Sequence, residues 1–365
     1  MRPSARLDAS MRHKARRARA LRWILQDLAG VARQPEQAHR THLRATLEWL
    51  CRAQDASATP GLAAGGWTFE AGWQAPSVDA TGRLIETFLP AAEYLAWPEL
   101  TERARRMRDA LLETPEPASL GRLHGLVAAH VQLGDAESLA RAVRDARGLY
   151  VDTGRTPAWH ADAAHVLARL AVLADEAVLR EAARAHLQAA CCAQTPSGWF
   201  VDVAAPTPTA ALARALRSLA EASRLLGDAA ALEAALRVAR PLGDALRADG
   251  SLCAAFDDGW TPGARHACVP GSAQVAAAWL RLAQLGEGTA WRDAAWRLLA
   301  WVKRCQRTEG ERLALRGALP NAAPIWRGPA AFGFHTLGAK YFADALMMDM
   351  VGIAIPPAVQ KAESA

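Results

Sequence analysis

The chain has 365 residues, 51% of them hydrophobic and 22% charged, which excludes a disordered protein and is ample for a buried core. No apolar run approaches the roughly 20 residues of a membrane span, because Arg, Asp, Glu or His interrupts every stretch. The net charge of +6 is unevenly placed: residues 1–22 hold eight bases, from Arg2 to Arg22, against Asp8, so this arm carries +7 and the remainder −1.

The arm is the first predicted element. Residues 11–33 have the spacing of a basic helix with Ala18, Leu21, Ile24, Leu25, Leu28 and Val31 along one face. Its bases are not followed by an apolar signal-peptide core. The helix either serves as a solubilising or capping helix packed on the body or is drawn, through Arg2–Arg22, to anionic lipid or an acidic protein. Residues 1–22 contain no aromatic side chain and no nucleic-acid module follows, so nucleic acid is not an expected partner. The six cysteines lack C-x-x-C spacing and are read as reduced thiols. The expected location is the cytoplasm, with peripheral contact at the inner membrane face.

The body reads as helix almost throughout, rich in Ala, Leu and Arg. Apolar positions recur at helical spacing over 36–55, 79–95, 99–114, 119–134, 137–149 and 157–173, then over 176–193, 207–226, 228–246, 270–285, 288–306 and 335–352. Short breaks such as Gly134-Asp135 and Gly227-Asp228 join antiparallel hairpins, and longer Gly/Pro/Trp-rich stretches separate them. This alternation describes a helical solenoid, open or closed on itself.

A repeat argues for closure. Arg44-Ala45, Gln54 and Gly66-Trp67 form one copy, Arg184-Ala185, Gln194 and Gly198-Trp199 a second, and Trp301-Val302 with Gln306 a weaker third. A Gln at a helix end can satisfy loop amides and carbonyls, and a Trp can fold back over that end. The pattern resembles the QW repeat of the squalene cyclase and protein prenyltransferase β-subunit superfamily, which implies an all-α (α/α)6 toroid. The helices from 79, 119, 157, 207, 270 and 335 would be inner and the other six outer, with the last inner helix closing against the first outer one. The expected organisation is a basic arm over 1–34, one toroid domain over 35–352 and a tail over 353–365.

Within that superfamily, four groups of segments resemble bacterial toroid proteins, prenyltransferase-like and met in the setting of surface-polysaccharide loci. They are Asp79-Ala80-Thr81-Gly82, Gly198-Trp199-Phe200, Cys268 to Gln274 with Ala278 to Leu282, and Arg316-Gly317 with Pro324-Ile325-Trp326 and Ala339 to Met347. The chain departs from them at Thr207-Pro208-Thr209, where relatives resemble Thr-His-Thr, and at Ser119-Leu120-Gly121, where they carry Asp-Thr-Gly.

Neither the acidic D-x-D-D motif of alkene-protonating cyclases nor the zinc ligands of prenyltransferases are present, and no Gly-rich phosphate loop occurs. No metal or cofactor is expected. Asp79 and Glu86, seven residues apart on one helical face, form a candidate acid/base pair, with an N-cap as the structural alternative for Asp79. His266 beside Cys268 offers a weak nucleophilic pair. Trp67, Trp73, Trp159 and Trp326 are candidate sugar platforms, and His160, Cys268, Gln274 and Lys340 candidate substrate contacts. Lys340 and Asp344 are equally an i,i+4 ion pair. The expected function is binding, or acid/base chemistry on, a glycan or glycolipid precursor of surface-polysaccharide biosynthesis. An isoprenoid cyclase or transferase and a non-catalytic partner protein are the alternatives, and the oligomeric state is not legible.

Overall fold

The computed structural model describes residues 21, 23–29, 34–115, 119–149, 154–201, 206–310, 312–352 and 355. Most of the arm and nearly all of the tail therefore lie outside the described residues.

Among the described residues twelve long helices alternate between two rings. The outer six are α1 (His39–Asp55), α3 (Glu99–Glu113), α5 (Ala136–Ala146), α7 (Ala177–Cys192), α9 (Ala229–Asp244) and α11 (Ala290–Cys305). The inner six are α2 (Val78–Tyr94), α4 (Leu120–Leu133), α6 (Pro157–Ala174), α8 (Thr209–Leu226), α10 (Val269–Gln284) and α12 (Thr336–Val351). Each inner helix packs on the next, and α12 packs on both α2 and α1, so the ring closes as the repeat implied. The fold is an all-α (α/α)6 toroid, and helix boundaries fall within about three residues of the expected ones.

Composition sorts the rings. Every residue of α2 from Ala80 to Ala92 is buried, as is every residue of α10 from Val269 to Leu282, whereas α3 buries a stripe of Leu100, Arg103, Ala104, Met107 and Leu111. A helix covered on all sides belongs between the outer ring and the lumen. Glycine sets the closest inner contact: a Cβ on Gly82 would lie 2.0 Å from Gly121 O, and one on Gly125 2.5 Å from Gly82 Cα. Side chains there would force α2 and α4 apart.

The Gln repeat staples the outer ring. Gln54 Nε2 donates to Gly61 O and to Arg103 O of α3, and Gln194 Nε2 to Gly198 O and to Ala234 O of α9. Gln306 Nε2 donates to Gly317 O and to Thr46 Oγ1 of α1, while its Oε1 accepts from His42 Nδ1. Gly61, Gly198 and Gly317 share φ between 81° and 85°, a left-handed turn that brings the loop against the next outer helix. In the first copy the glycine partner is therefore Gly61 rather than Gly66, which instead opens strand β1.

Short strands absent from the helical reading rim the ring: β1 (Gly66–Thr68) and β2 (Gly72–Trp73) before α2, β3 (Thr207–Pro208) before α8, and β4 (Ala255–Phe256) and β5 (Ala267–Cys268) before α10. β6 (Ala322–Ala323) and β7 (Gly333–His335) precede α12. They pair as β2-β1-β7, β3-β4 and β5-β6, all antiparallel. Long-range pairs of two or three residues have no periodicity for a sequence to display. They gather at the N-terminal ends of the inner helices.

Gly198→Ala and Gly227→Ala separate steric from conformational cost. Both glycines have positive φ, but a Cβ at 198 would lie 2.1 Å from Arg237 O, while one at 227 meets nothing within 4 Å. Urea unfolding should show a loss of about 1 kcal/mol for Gly227→Ala and about 3 kcal/mol or more for Gly198→Ala; equal losses would contradict the staple.

Candidate functional site in the toroid lumen

Among the buried polar residues of the inner helices, one group meets at the centre. α2 supplies Arg83 and Glu86, α4 His124, α6 Asp162, His165 and Arg169, α8 Arg214, Arg217 and Ser218, α10 Gln274, and α12 Lys340, Tyr341 and Asp344. The cavity-lining members lie in the N-terminal half or at the midpoint of their helices, so the six helices run parallel and the site is nearer the β-rimmed face. Six positive helix ends thus point towards that face.

A continuous chain of charged contacts crosses the lumen. Asp79 Oδ1 accepts from Gly121 N at 2.7 Å, tying the first turns of α2 and α4, and Asp79 Oδ2 accepts from Arg83 Nε at 3.3 Å. Arg83 Nη2 donates to Asp162 Oδ2 at 2.5 Å, and Asp162 Oδ1 accepts from His124 Nε2 at 3.1 Å. His124 Nδ1 accepts from Arg169 Nη1 at 3.1 Å, which fixes the ring's tautomer, and the same Nη1 donates to Glu86. Lys340 Nζ lies 3.7 Å from Glu86 and donates to Asp344 at 2.5 Å, and Asp344 also accepts from Thr87 Oγ1 at 2.6 Å.

Protonation follows from this wiring. Burial alone would raise Glu86, but Arg169, the His124 contact and Lys340 outweigh it and hold the carboxyl well below its usual range. Burial likewise opposes the charge of Asp162, and Arg83 and His124 outweigh it. Burial first, then its neighbours His124 and Arg169, hold His165 well below the usual imidazole value, so it is neutral at pH 7. Glu86 and Asp162 are fixed anions with no proton to give at neutral pH.

Cations exceed the anions that answer them. Arg83, Arg169, Arg214, Arg217 and Lys340 face three buried carboxylates, Glu86, Asp162 and Asp344, with Asp79 as a fourth at the rim, its side chain 38% exposed. Arg169 Nε and Nη2, Arg214 Nε, Arg217 Nη1 and His165 Nε2 are buried without a hydrogen-bond partner. Arg217 Nη1 lies 3.5 Å from Asp344, and its Nη2 donates to the carbonyl of the fully buried Ile355. The space they surround is about 20 Å³, room for about one water molecule or one small polar group.

His124, Asp162 and His165 are the one group among the described residues with ligand atoms close enough to share a metal ion, within 4.8 Å of one another. Lone pairs of Asp162 and His124 are already claimed by Arg83 and Arg169, which leaves only His165 Nε2 unanswered, and the cationic surroundings oppose a divalent ion. The donor set does not fit a metal.

The sequence-derived residues divide accordingly. Glu86, Gln274 and Lys340 line the lumen. Asp79 reaches it through Arg83 and is not an N-cap, since Ser77 Oγ takes that role by accepting from Ala80 N. Glu86 is neutralised by Arg169 and Lys340 rather than paired with Asp79. His160 does not face the lumen: its Nδ1 lies 2.9 Å from His186 Nδ1, between α6 and α7, with Trp159 packed on both rings. His266 stands in the rim against Gly328, and burial, then Arg327 and Arg247, lower its pKa. The Cys268 thiol caps α10, accepting from Gly271 N, and burial pushes it up to about 11, so no activated thiolate accompanies His266. Trp67 packs on Phe69 and Phe334, and Trp73 on Trp49. Trp326 lines a separate cleft of about 260 Å³ beside Trp23.

Arg83, His124, Asp162, Arg169, Arg214 and Arg217 were missed as site residues. Their signal was a charge inside an otherwise apolar inner helix, as in Leu167-Ala168-Arg169-Leu170-Ala171.

No family model matches the sequence, and no curated protein matches it. Solved structures do. The unsaturated glucuronyl hydrolase of Bacillus sp. GL1, responsible for the degradation of glycosaminoglycan, is 15% identical with a TM-score of 0.73 over 89% of this chain and 100% of that chain. An unsaturated glucuronyl hydrolase specific for heparin is 14% identical, TM-score 0.70, over 88% and 99% of the two chains. A sugar epimerase from a ruminal bacterium is 13% identical, TM-score 0.67, over 85% and 97%. These likenesses show the α/α-toroid fold.

Buried neutral histidines make stability depend on pH. Burial depresses His42 to about 4, partly offset by its bond to Gln306, and burial with His160 depresses His186 to about 4. With His165 they stay neutral in the folded chain while the unfolded chain takes up protons near pH 6.5. Stability is complete above about pH 6.5 and is lost towards about pH 4, by up to about 1.4 kcal/mol per pH unit for each histidine. Urea unfolding at pH 7.5 and pH 5 should differ by at least about 2 kcal/mol; equal free energies would contradict this assignment.

Proposed function

We propose that the protein binds an acidic unit of a glycan or glycolipid precursor at the N-terminal face of the toroid, as part of surface-polysaccharide biosynthesis. The observation that carries this reading is Arg214, a half-buried side chain that lines the cavity: its buried Nε has no hydrogen-bond partner among the described residues, and its charge adds to those already holding Asp162 ionised. Unpartnered nitrogens of Arg169 and Arg217 lie in the same network. Leaving buried guanidinium donors unanswered is costly, and a carboxylate or phosphate would answer them. A space of about 20 Å³ admits such a group but not a sugar ring, so the acidic group points inward and the ring lies over the rim.

The solved structures of similar fold support a saccharide ligand: they include glucuronyl hydrolases, one of them complexed with dGlcA-GalNAc6S. The surface-polysaccharide setting rests on the segment resemblances around Asp79, Cys268 and Lys340. Any acid/base step falls to Asp79, the half-exposed carboxylate of the network, because Glu86 and Asp162 are held as anions. An isoprenoid ligand is disfavoured, since it would have to desolvate this charge without pairing it.

Calorimetric titration should show binding of a hexuronate-containing oligosaccharide and none of its neutral hexose counterpart. Arg214→Met should weaken that binding about tenfold or more while leaving the unfolding free energy within about 1 kcal/mol. Equal affinity for the neutral sugar, or an unaffected variant, would contradict the proposal.

A further inference from the structure

The helical segment at residues 23–28 docks on the body with the face opposite to the one its leucines suggest. Trp23 is buried, edge-on to Phe69 and Phe334, under the Arg307 guanidinium at 3.8 Å. Gln26 accepts from Arg307 Nη2 at 2.7 Å, and Asp27 accepts from Ile325 N at 2.9 Å. Trp23, Gln26 and Asp27 thus form the bound face, and Leu21, Leu25 and Leu28, at i, i+4 and i+7, project the other way. These leucines are 56%, 57% and 67% exposed. The described part of the arm packs on the body through aromatic and hydrogen-bonded contacts, while its leucine stripe faces outward.

Three exposed leucines on one face cost free energy in water unless something covers them. The adjoining sequence indicates what does. Arg12, Lys14, Arg16, Arg17, Arg19 and Arg22 precede or flank the stripe, and no acid occurs between Asp8 and Asp27. Asp27 itself is turned inward to Ile325. An apolar face next to a block of positive charge matches a bilayer surface with anionic headgroups, where leucines enter the acyl boundary and bases stay among the phosphates.

We propose that Leu21, Leu25 and Leu28 form a docking face for a lipid surface, and the basic sequence that precedes them makes that surface anionic. The segment packs on the β1–β7 sheet, part of the rim towards which the lumen site lies, so docking would hold that rim beside the bilayer. The proposal does not depend on the saccharide reading.

Flotation of the full chain with phosphatidylcholine vesicles, and with equal mixtures of phosphatidylcholine and phosphatidylglycerol, tests it. The protein should float with the mixed vesicles only, and less as salt is raised. Leu21→Ser/Leu25→Ser/Leu28→Ser should weaken partitioning about tenfold or more with a melting temperature within a few degrees of the parent's, since those side chains are more than half exposed and only Leu28 borders the cleft beside Trp23. Lys14→Gln/Arg16→Gln/Arg17→Gln is a second variant that should weaken it independently of any packing. If the leucine variant floats like the parent, or the parent ignores mixed vesicles and is instead retained by polyglutamate, the proposal is overturned.

Discussion

The structure depends on one arrangement: ionised groups enclosed at the centre of six helices, bonded to one another in an unbroken sequence from Gly121 N through Asp79, Arg83, Asp162, His124, Arg169 and Glu86. Lys340 then links Glu86 to Asp344 and so brings α12 to α2, where the first and last inner helices must meet. A hydrophobic lumen could close in several registers. A lumen of fixed charge can close in few, because each misplaced helix would strand a buried ion at a cost of several kcal/mol. The outer ring is set differently, by the glutamine staples and the left-handed glycines that seat each loop on its neighbour.

The same charges that hold the ring also give it a chemical character. Glu86 and Asp162 are used up in neutralising cations, so the lumen offers donors rather than acids or bases. The surplus lies with the arginines, under the positive ends of six helices, and there the fold and the proposed ligand meet. Chemistry at the site, where present, belongs at its edge with Asp79, not at its centre.

Much of the fold was legible. Twelve helices, their division into rings and the closure of the last on the first followed from helical periodicity, the lengths of the breaks and the spacing of Gln54, Gln194 and Gln306. The site was only partly legible, for a physical reason. For Lys340 and Asp344 spacing left an intrahelical ion pair and a cavity cation both open, because i,i+4 is the same on a solvated face and in a lumen; here it is a buried pair whose lysine lines the lumen. Contacts such as Glu86 with Arg169, or Thr87 with Asp344, join residues far apart in the chain and have no local spacing at all. Periodicity placed Leu21, Leu25 and Leu28 on one face but could not say which face meets the body, and Trp23, set among Phe69, Phe334 and Arg307, makes the anchor.

The central claim is that the cation surplus of the lumen is a binding site for the acidic group of a saccharide. A crystal structure of the protein soaked with the hexuronate tests this most directly. The account predicts a carboxylate within hydrogen-bond distance of Arg214 and of Arg217 Nη1, which makes no hydrogen bond among the described residues, with the sugar ring over the rim. A lumen holding only water, with the sugar bound elsewhere or not at all, would contradict it.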